Sequence, residues 1–247
     1  MTPLRIGVVG AAGRMGSEVV RAVDAADDLQ LVAVVDLGDR LTQLVTARAE
    51  VIVDFTTPTA VMDTLAMAIP AGLHCVVGTT GFDEGRYAEV RALLGPDPAV
   101  GVVIAANFSV GAVLMMRFAA AAAAYFPSVE IVETHHPSKV DAPSGTAAHT
   151  AEVIDEVRRR ANLPFPPDAT VGDAGARGVA VGAVRVHSQR LVGAVARQQV
   201  TFAGPGELLT IEHDSRDRAC FMPGVLRAVR CVRDLPGLTV GLDSLLD

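Results

Sequence analysis

No run of roughly 18 apolar residues, the length a membrane helix needs, occurs in this chain of 247 residues, although half of them are hydrophobic. No membrane span is therefore expected. Aromatic side chains are scarce, at 4%, and the composition is that of a soluble globular protein. Cysteine is scarce too. Cys75, Cys220 and Cys231 are odd in number, lie in apolar surroundings and form no CxxC pair. That pattern excludes a disulfide framework and a zinc site, so all three read as buried thiols. An excess of positive charge is also missing: the formal net charge is -7, which argues against a broad nucleic-acid face but leaves local basic pockets open. The first ten residues lack the basic and long apolar regions of a secretory signal, so a cytoplasmic location is expected.

The length suits two modest domains. In the first half, apolar runs of strand length recur at Leu4–Val9, Leu31–Val35, Val51–Phe55, Cys75–Val77 and Val100–Ala105. Helical patterns at Arg14–Ala26, Thr59–Ala71 and Asp83–Leu94 separate most of them. Short buried strands alternating with helices predict a parallel sheet covered on both faces, a doubly wound dinucleotide-type domain. A further helix is expected from near Val110, with Val113, Leu114 and Phe118 at helical spacing and the alanine run Ala119–Ala124 packed closely in the core.

Gly10-Ala11-Ala12-Gly13-Arg14-Met15-Gly16 follows the first strand and opens the first helix, a GxxGxxG variant of the dinucleotide fingerprint. Glycines are needed there because the backbone must turn tightly and approach a pyrophosphate, whose charge is met by free N–H groups at the helix start. Asp36 ends the second strand, 20 residues beyond Gly16, where an acid accepts hydrogen bonds from an adenosine ribose. A carboxylate there suits NADH, while Arg14 and Arg40 nearby could hold the extra phosphate of NADPH, so use of either is expected. Gly78-Thr79-Thr80-Gly81 and Ala105-Ala106-Asn107-Phe108-Ser109 follow the fourth and fifth strands, on the side where such sheets bind ligands. Their small and hydroxyl-bearing residues suit the wall of a nicotinamide pocket.

In the second half, Val129–Thr134 alternates apolar and polar residues as a half-exposed strand does, and leads into His135 and His136. Pro137 and Pro143 keep the following stretch extended or turned, which presents Lys139 on a loop. Ser144 then caps a helix whose apolar positions are Ala147, Ala151, Ile154 and Val157. The exposed N–H groups of that helix start, the Thr146 hydroxyl and the Lys139 ammonium form a pocket for the carboxylate of a small anionic substrate. His74, His149, His187 and His213 lack such company and read as structural or surface residues, and Arg158-Arg159-Arg160 as a solvated helix end.

The stretches Gly10–Gly16, Gly78-Thr79-Thr80-Gly81-Phe82, Asn107-Phe108 and His135–Ala147 resemble, in order, the motifs of the dihydrodipicolinate reductase family. The likeness continues nearly end to end, through Gly175-Ala176-Arg177-Gly178, Gly206-Glu207, His213-Asp214-Ser215 and Phe221-Met222-Pro223-Gly224-Val225. It implies an α/β architecture: a Rossmann-like dinucleotide-binding domain over residues 1–108 and a smaller α+β domain with a mixed sheet over residues 109–217. The smaller domain would bind a small dicarboxylate substrate and assemble a homotetramer. Residues 218–247 would return to the dinucleotide domain. The implied activity is NAD(P)H-dependent reduction of 4-hydroxy-tetrahydrodipicolinate, with loss of water, on the diaminopimelate route to lysine. The implied roles are proton donor or acceptor for His135, second proton donor for Lys139, and substrate holding for His136, Gly145 and Thr146. Gly10, Ala11, Ala12, Gly13, Arg14, Met15, Asp36, Gly78, Thr79, Thr80, Ala105, Ala106, Asn107 and Phe108 would line the cofactor site, with no metal.

Three positions depart from the family's pattern: Ala106 stands where proline is usual, and Arg197 and Gln199 where histidine and glutamate are common. The residue chemistry agrees with the implied reaction, since hydride addition to a conjugated imine builds negative charge that a proton donor and a fixed cation stabilise. Another NAD(P)-dependent amino-acid dehydrogenase, or a non-catalytic NAD(P)H sensor, would share the first domain. Neither accounts for the paired histidines and lysine of residues 135–146.

Overall fold

The computed structural model describes residues 2–246, which divide into two compact units, 2–110 with 218–246, and Gly111–Asp217. The first half of the chain runs β1 (Leu4–Val9), α1 (Gly16–Asp24), β2 (Leu29–Val35), α2 (Thr42–Thr46), β3 (Val51–Asp54), α3 (Val61–Ala68), β4 (His74–Val77), α4 (Glu84–Leu94) and β5 (Gly101–Ile104). Then come α5 (Val110–Ala122), β6 (Ser128–His135), α6 (Gly145–Arg160), β7 (Val179–Val181), β8 (Val184–Arg190), β9 (Ala196–Gly204) and β10 (Glu207–Ser215). The chain closes with α7 (Met222–Cys231) and β11 (Gly237–Val240).

In the first unit six strands lie in the order β11-β5-β4-β3-β1-β2, every neighbouring pair parallel. All four residues of β3 and all four of β5 are buried, because helices cover both faces. Each such valine or isoleucine stabilises the sheet by about 1.5–3 kcal/mol relative to exposure. The five sequence-predicted strands are all present. The first helix begins at Gly16, two residues beyond the expected Arg14, which leaves Arg14 and Met15 in the turn. The edge strand β11 was not foreseen: Leu238-Thr239-Val240 is too short to stand out, and it becomes a strand by pairing with Val102–Ile104 of β5.

The second unit holds a five-stranded mixed sheet, order β10-β9-β6-β8-β7, in which only the β6–β8 pair is parallel. Alternation sets its two faces. Val129 and Ile131 of β6, Val184 and Val186 of β8, and Val200 and Phe202 of β9 join Ala147, Ala151 and Ile154 of α6 in one core. The fold class is thus the expected one, a Rossmann-like parallel sheet and a separate mixed sheet.

Two expectations are corrected. Only Cys75 is buried; Cys220 and Cys231 are half-exposed, because each sits on a helical segment with one side open. Arg158 is not part of a solvated helix end but is 1% exposed. Its guanidinium donates to the carbonyls of Phe126, Ala123 (3.3 Å), Pro127 (2.9 Å) and Pro164 (3.0 Å), and lies 4.1 Å from the centre of the Phe165 ring. Five donors in a planar fork let arginine gather carbonyls from two segments, and sequence shows only three adjacent arginines. Arg159 and Arg160 are exposed and pair with Asp155 and Glu156 on their own helix. Arg158→Met should therefore cost about 1–3 kcal/mol, or roughly 2–10 °C in Tm, by stranding those carbonyls. Arg159→Ala should stay within about 0.5 kcal/mol; thermal unfolding of the two variants measures both.

Candidate active site

In the first unit the glycine turn is shaped by contacts that no side chain could share. Gly10 has φ +79°, and a Cβ there would lie 2.8 Å from the Phe55 carbonyl oxygen. A Cβ on Gly16 would overlap the Gly10 carbonyl, and one on Gly78 the Phe55 ring. The Gly10 N–H donates to Val35 O (2.8 Å) and the Gly13 N–H to Gly10 O (3.0 Å), so the turn is pinned to the end of β2. Asp36 completes the arrangement: its carboxylate accepts from Ala12 N (2.5 Å) and Leu37 N (2.8 Å). Those two backbone donors, Ala12 foremost, hold the Asp36 carboxyl below the usual carboxylate range.

Beside the turn lies a cavity of about 500 Å³ lined by Gly10, Gly13, Asp36, Leu37, Asp39 and Phe55, among others. A smaller one of about 160 Å³ is lined by Met15, Phe55, Gly78, Ala106, Asn107 and Phe108, with Phe221. Most of the expected cofactor residues therefore line these two hollows or the turn between them. Thr80 and Arg14 are exposed beside them, whereas Ala105 is 2% and Thr79 5% exposed. The Thr79 hydroxyl donates inward to Asp54 Oδ1 (2.8 Å), which also accepts from the Thr56 N–H (2.9 Å) and hydroxyl (2.7 Å). Fully buried Asp54 thus ties the loop after β3 to the loop after β4. Glycines that admit no Cβ, hollows beside them and an acid at the end of β2 fit a dinucleotide.

The second unit brings together the residues of the 135–146 block. His135 ends β6, paired with Arg190 at the end of β8 and with Ala196 of β9. Its Nδ1 lies 2.5 Å from Oε2 of Glu133, two residues back on the same face of the strand and fully buried. Arg190 Nη1 donates to both Glu133 oxygens at 3.0 Å, and Nη2 to the Asp141 carbonyl at 2.7 Å. Lys139 Nζ donates to both carboxylate oxygens of Asp141, at 2.8 and 2.9 Å. His136 Nδ1 meets the Ser138 hydroxyl at 2.8 Å, and the Lys139 N–H donates to the His136 carbonyl at 3.1 Å. Ser144 caps α6 as expected, accepting from Ala147 N at 3.2 Å, and the exposed Gly145 would meet nothing within 4 Å if it carried a Cβ. The Gly145 N–H bonds the Asp141 carboxylate, so that carboxylate lies between the Lys139 ammonium and the helix start.

Burial lowers the His135 pKa, and the Lys139 and Arg190 charges add to that against the opposing pull of Glu133. Burial alone would raise the Glu133 carboxyl, but hydrogen bonds from Ser188, His135 and Arg190 outweigh it and keep it below the usual range. Glu133, Arg190 and the Asp141 carboxylate were not singled out from sequence. Glu133 carried a signal, since period two puts it on the face of His135; Arg190, 57 positions from Glu133, carried none. Arg197 pairs with Glu212 at 2.7 and 2.9 Å across β9 and β10. The other histidines have ordinary settings: His74 Nδ1 accepts from Gly101 N, His187 meets Glu130, His149 is exposed near Glu152, and His213 packs on Gly111.

Two family descriptions match nearly the whole chain: "Dihydrodipicolinate reductase, N-terminus" over residues 4–108 and "Dihydrodipicolinate reductase, C-terminus" over residues 111–246. The chain belongs to the dihydrodipicolinate reductase family. Among relatives, the 4-hydroxy-tetrahydrodipicolinate reductase of Nocardia farcinica is 56% identical and that of Corynebacterium diphtheriae 55%, each over 99% of both chains. Among solved structures, a dipicolinate-bound dihydrodipicolinate reductase from Paenisporosarcina sp. TG-14 is 37% identical, with a TM-score of 0.86 over 98% of this chain and 99% of that one. A probable dehydrogenase from Thermotoga maritima, 13% identical over 98% of this chain and 93% of that one with a TM-score of 0.59, shares the fold alone.

For a family member the glycine turn has a direct test. Gly10→Ala places a side chain at positive φ against the Phe55 carbonyl, so NADH affinity should fall at least about tenfold, equivalent to ~1.4 kcal/mol. Gly72 also has positive φ (+78°) but open space around it, so Gly72→Ala should lose stability and keep affinity. Fluorescence titration with NADH, alongside thermal unfolding, separates the two.

Proposed function

We propose that this chain reduces 4-hydroxy-tetrahydrodipicolinate to tetrahydrodipicolinate, with loss of water, using NADH or NADPH, in lysine synthesis through diaminopimelate. The observation that carries the reading is the hydrogen-bonded frame of His135, Lys139 and their partners beside the start of α6, in a chain so similar to named reductases. A ring with two carboxylates suits that chemistry: the Lys139 ammonium supplies a fixed positive charge, and the start of α6 at Gly145 and Thr146, where the Asp141 carboxylate already lies, favours a negative group with the helix dipole behind it. The dipicolinate held by the Paenisporosarcina enzyme is such a dicarboxylate.

The nicotinamide, when bound, supplies the hydride. The chain's residues do the rest. Gly10–Met15 give backbone donors for a pyrophosphate, Asp36 an acceptor for ribose hydroxyls, and Gly78–Thr80 with Ala105–Phe108 the wall of the smaller hollow. Because the Thr79 hydroxyl is committed to Asp54, Thr79 contributes through its backbone. His135 moves a proton at Nε2, since Nδ1 is held by Glu133, and Lys139 is the second proton donor. His136, Gly145 and Thr146 hold the substrate.

The first unit acts as the dinucleotide domain, with residues 218–247 part of it, and the second as the substrate-binding and assembly domain. The assembly is a homotetramer, and the enzyme works in the cytoplasm; no helix among the described residues is long and apolar enough to cross a membrane. His135→Ala and Lys139→Ala should each lower turnover by roughly 100-fold, the loss of a proton-transfer group, while NADH affinity holds. The assay follows NAD(P)H absorbance while the substrate is generated from pyruvate and aspartate semialdehyde, and near-normal turnover in either variant would refute its role.

A further inference from the structure

Between His135 and Lys139 runs an unbroken chain of hydrogen bonds: His135 to Glu133 (2.5 Å), Glu133 to Arg190 (3.0 Å), Arg190 to the Asp141 carbonyl (2.7 Å), and the Asp141 carboxylate to Lys139 (2.8 Å). It passes through one group that is shut off from solvent. Glu133 is fully buried and the Arg190 side chain 22% exposed. A carboxylate at that depth is costly unless paired, and the β-sheet core around it would be better served by an apolar residue. The Glu133 and Arg190 pair is therefore ill explained by folding alone.

We propose that Glu133 and Arg190 are positioning residues that act on the two proton-moving groups together, Glu133 by fixing the tautomer of His135 and Arg190 by tying Glu133 to the loop that carries Lys139. With its charge balanced by Arg190, the Glu133 carboxylate stays an acceptor, so Nδ1 of the neutral imidazole keeps its proton and Nε2 is the nitrogen that exchanges one. The second arm of the guanidinium holds the Asp141 carbonyl, and Asp141 in turn fixes the lysine. A planar fork with separate donors can serve both ends at once, which a lysine cannot. The inference rests on the proton-transfer role of His135 proposed above.

Three variants and two readouts test it. In the unaltered protein, ¹⁵N NMR of His135 should show the neutral ring protonated at Nδ1. Glu133→Gln should lower kcat roughly 10- to 100-fold, less than outright loss of the imidazole, with substrate KM changed by less than about threefold. It should also move the His135 titration to lower pH. The groups facing that ring are Glu133 on its own strand, Arg190 on β8 and Lys139 on the loop; of these only Glu133 favours the charged form. Arg190→Lys keeps the charge but not both arms, and should lower kcat at least about fivefold while mixing the two tautomers. If Glu133→Gln does not fold, this variant decides alone. Unchanged kcat, tautomer and titration in the folded variants, with His135→Ala inactive, would overturn the inference and leave the reading of the reaction standing. Normal turnover in His135→Ala would instead remove the reading on which it rests.

Discussion

A carboxylate with no access to water must be matched by positive charge and hydrogen bonds, and Glu133 meets that requirement through Arg190, Ser188 and His135. Much of the second unit's polar geometry follows from it. The acid sits on the core-facing side of β6, among side chains that otherwise read Val129 and Ile131. Its partner has to arrive from the same face of the next strand, and the parallel pairing of β6 with β8 delivers it. Once Arg190 is there, its free arm reaches the Asp141 carbonyl, and the loop between β6 and α6 is fixed at its midpoint. A sheet built for packing alone would have placed valine or isoleucine at position 133.

The first unit solves a different problem with different means. A pyrophosphate needs bare backbone, so the constraint is steric: Gly10, Gly16 and Gly78 stand where a Cβ would strike the Phe55 carbonyl, the Gly10 carbonyl and the Phe55 ring respectively. Phe55 is thus the common wall of the turn after β1 and the loop after β4, and its ring also lies 6.0 Å from that of Phe108. Buried Asp54, next to it, joins the neighbouring loops through Thr56 and Thr79. Ala106 lines the same small hollow as Phe55 and Phe108.

Residue chemistry visible in a row of letters proved informative where the interaction is local. The Asp36 carboxylate and the Ala12 N–H, the Ser144 cap on Ala147, and the loop carrying Lys139 all depend on residues within one turn or one βαβ step. Arg158 was misread for the opposite reason. Its partners are carbonyls at Ala123, Phe126, Pro127 and Pro164, and a carbonyl is a group every residue has, so no letter advertises it. The strand β11 escaped notice because four residues become a strand only when an edge is there to receive them.

Sequence by itself determined the alternation of strands and helices, the glycine turn with Asp36, and the grouping of His135, His136, Lys139 and Ser144, since each is a matter of periodicity or of spacing along the chain. Tertiary structure decided which distant residues complete them. Arg190 reaches Glu133 because β8 lies parallel beside β6, Arg158 leaves solvent because two segments turn their carbonyls towards it, and Thr79 faces Asp54 because β3 and β4 are neighbours. Such pairings are fixed by sheet order and packing, and a single chain of letters carries no record of which strand will lie next to which.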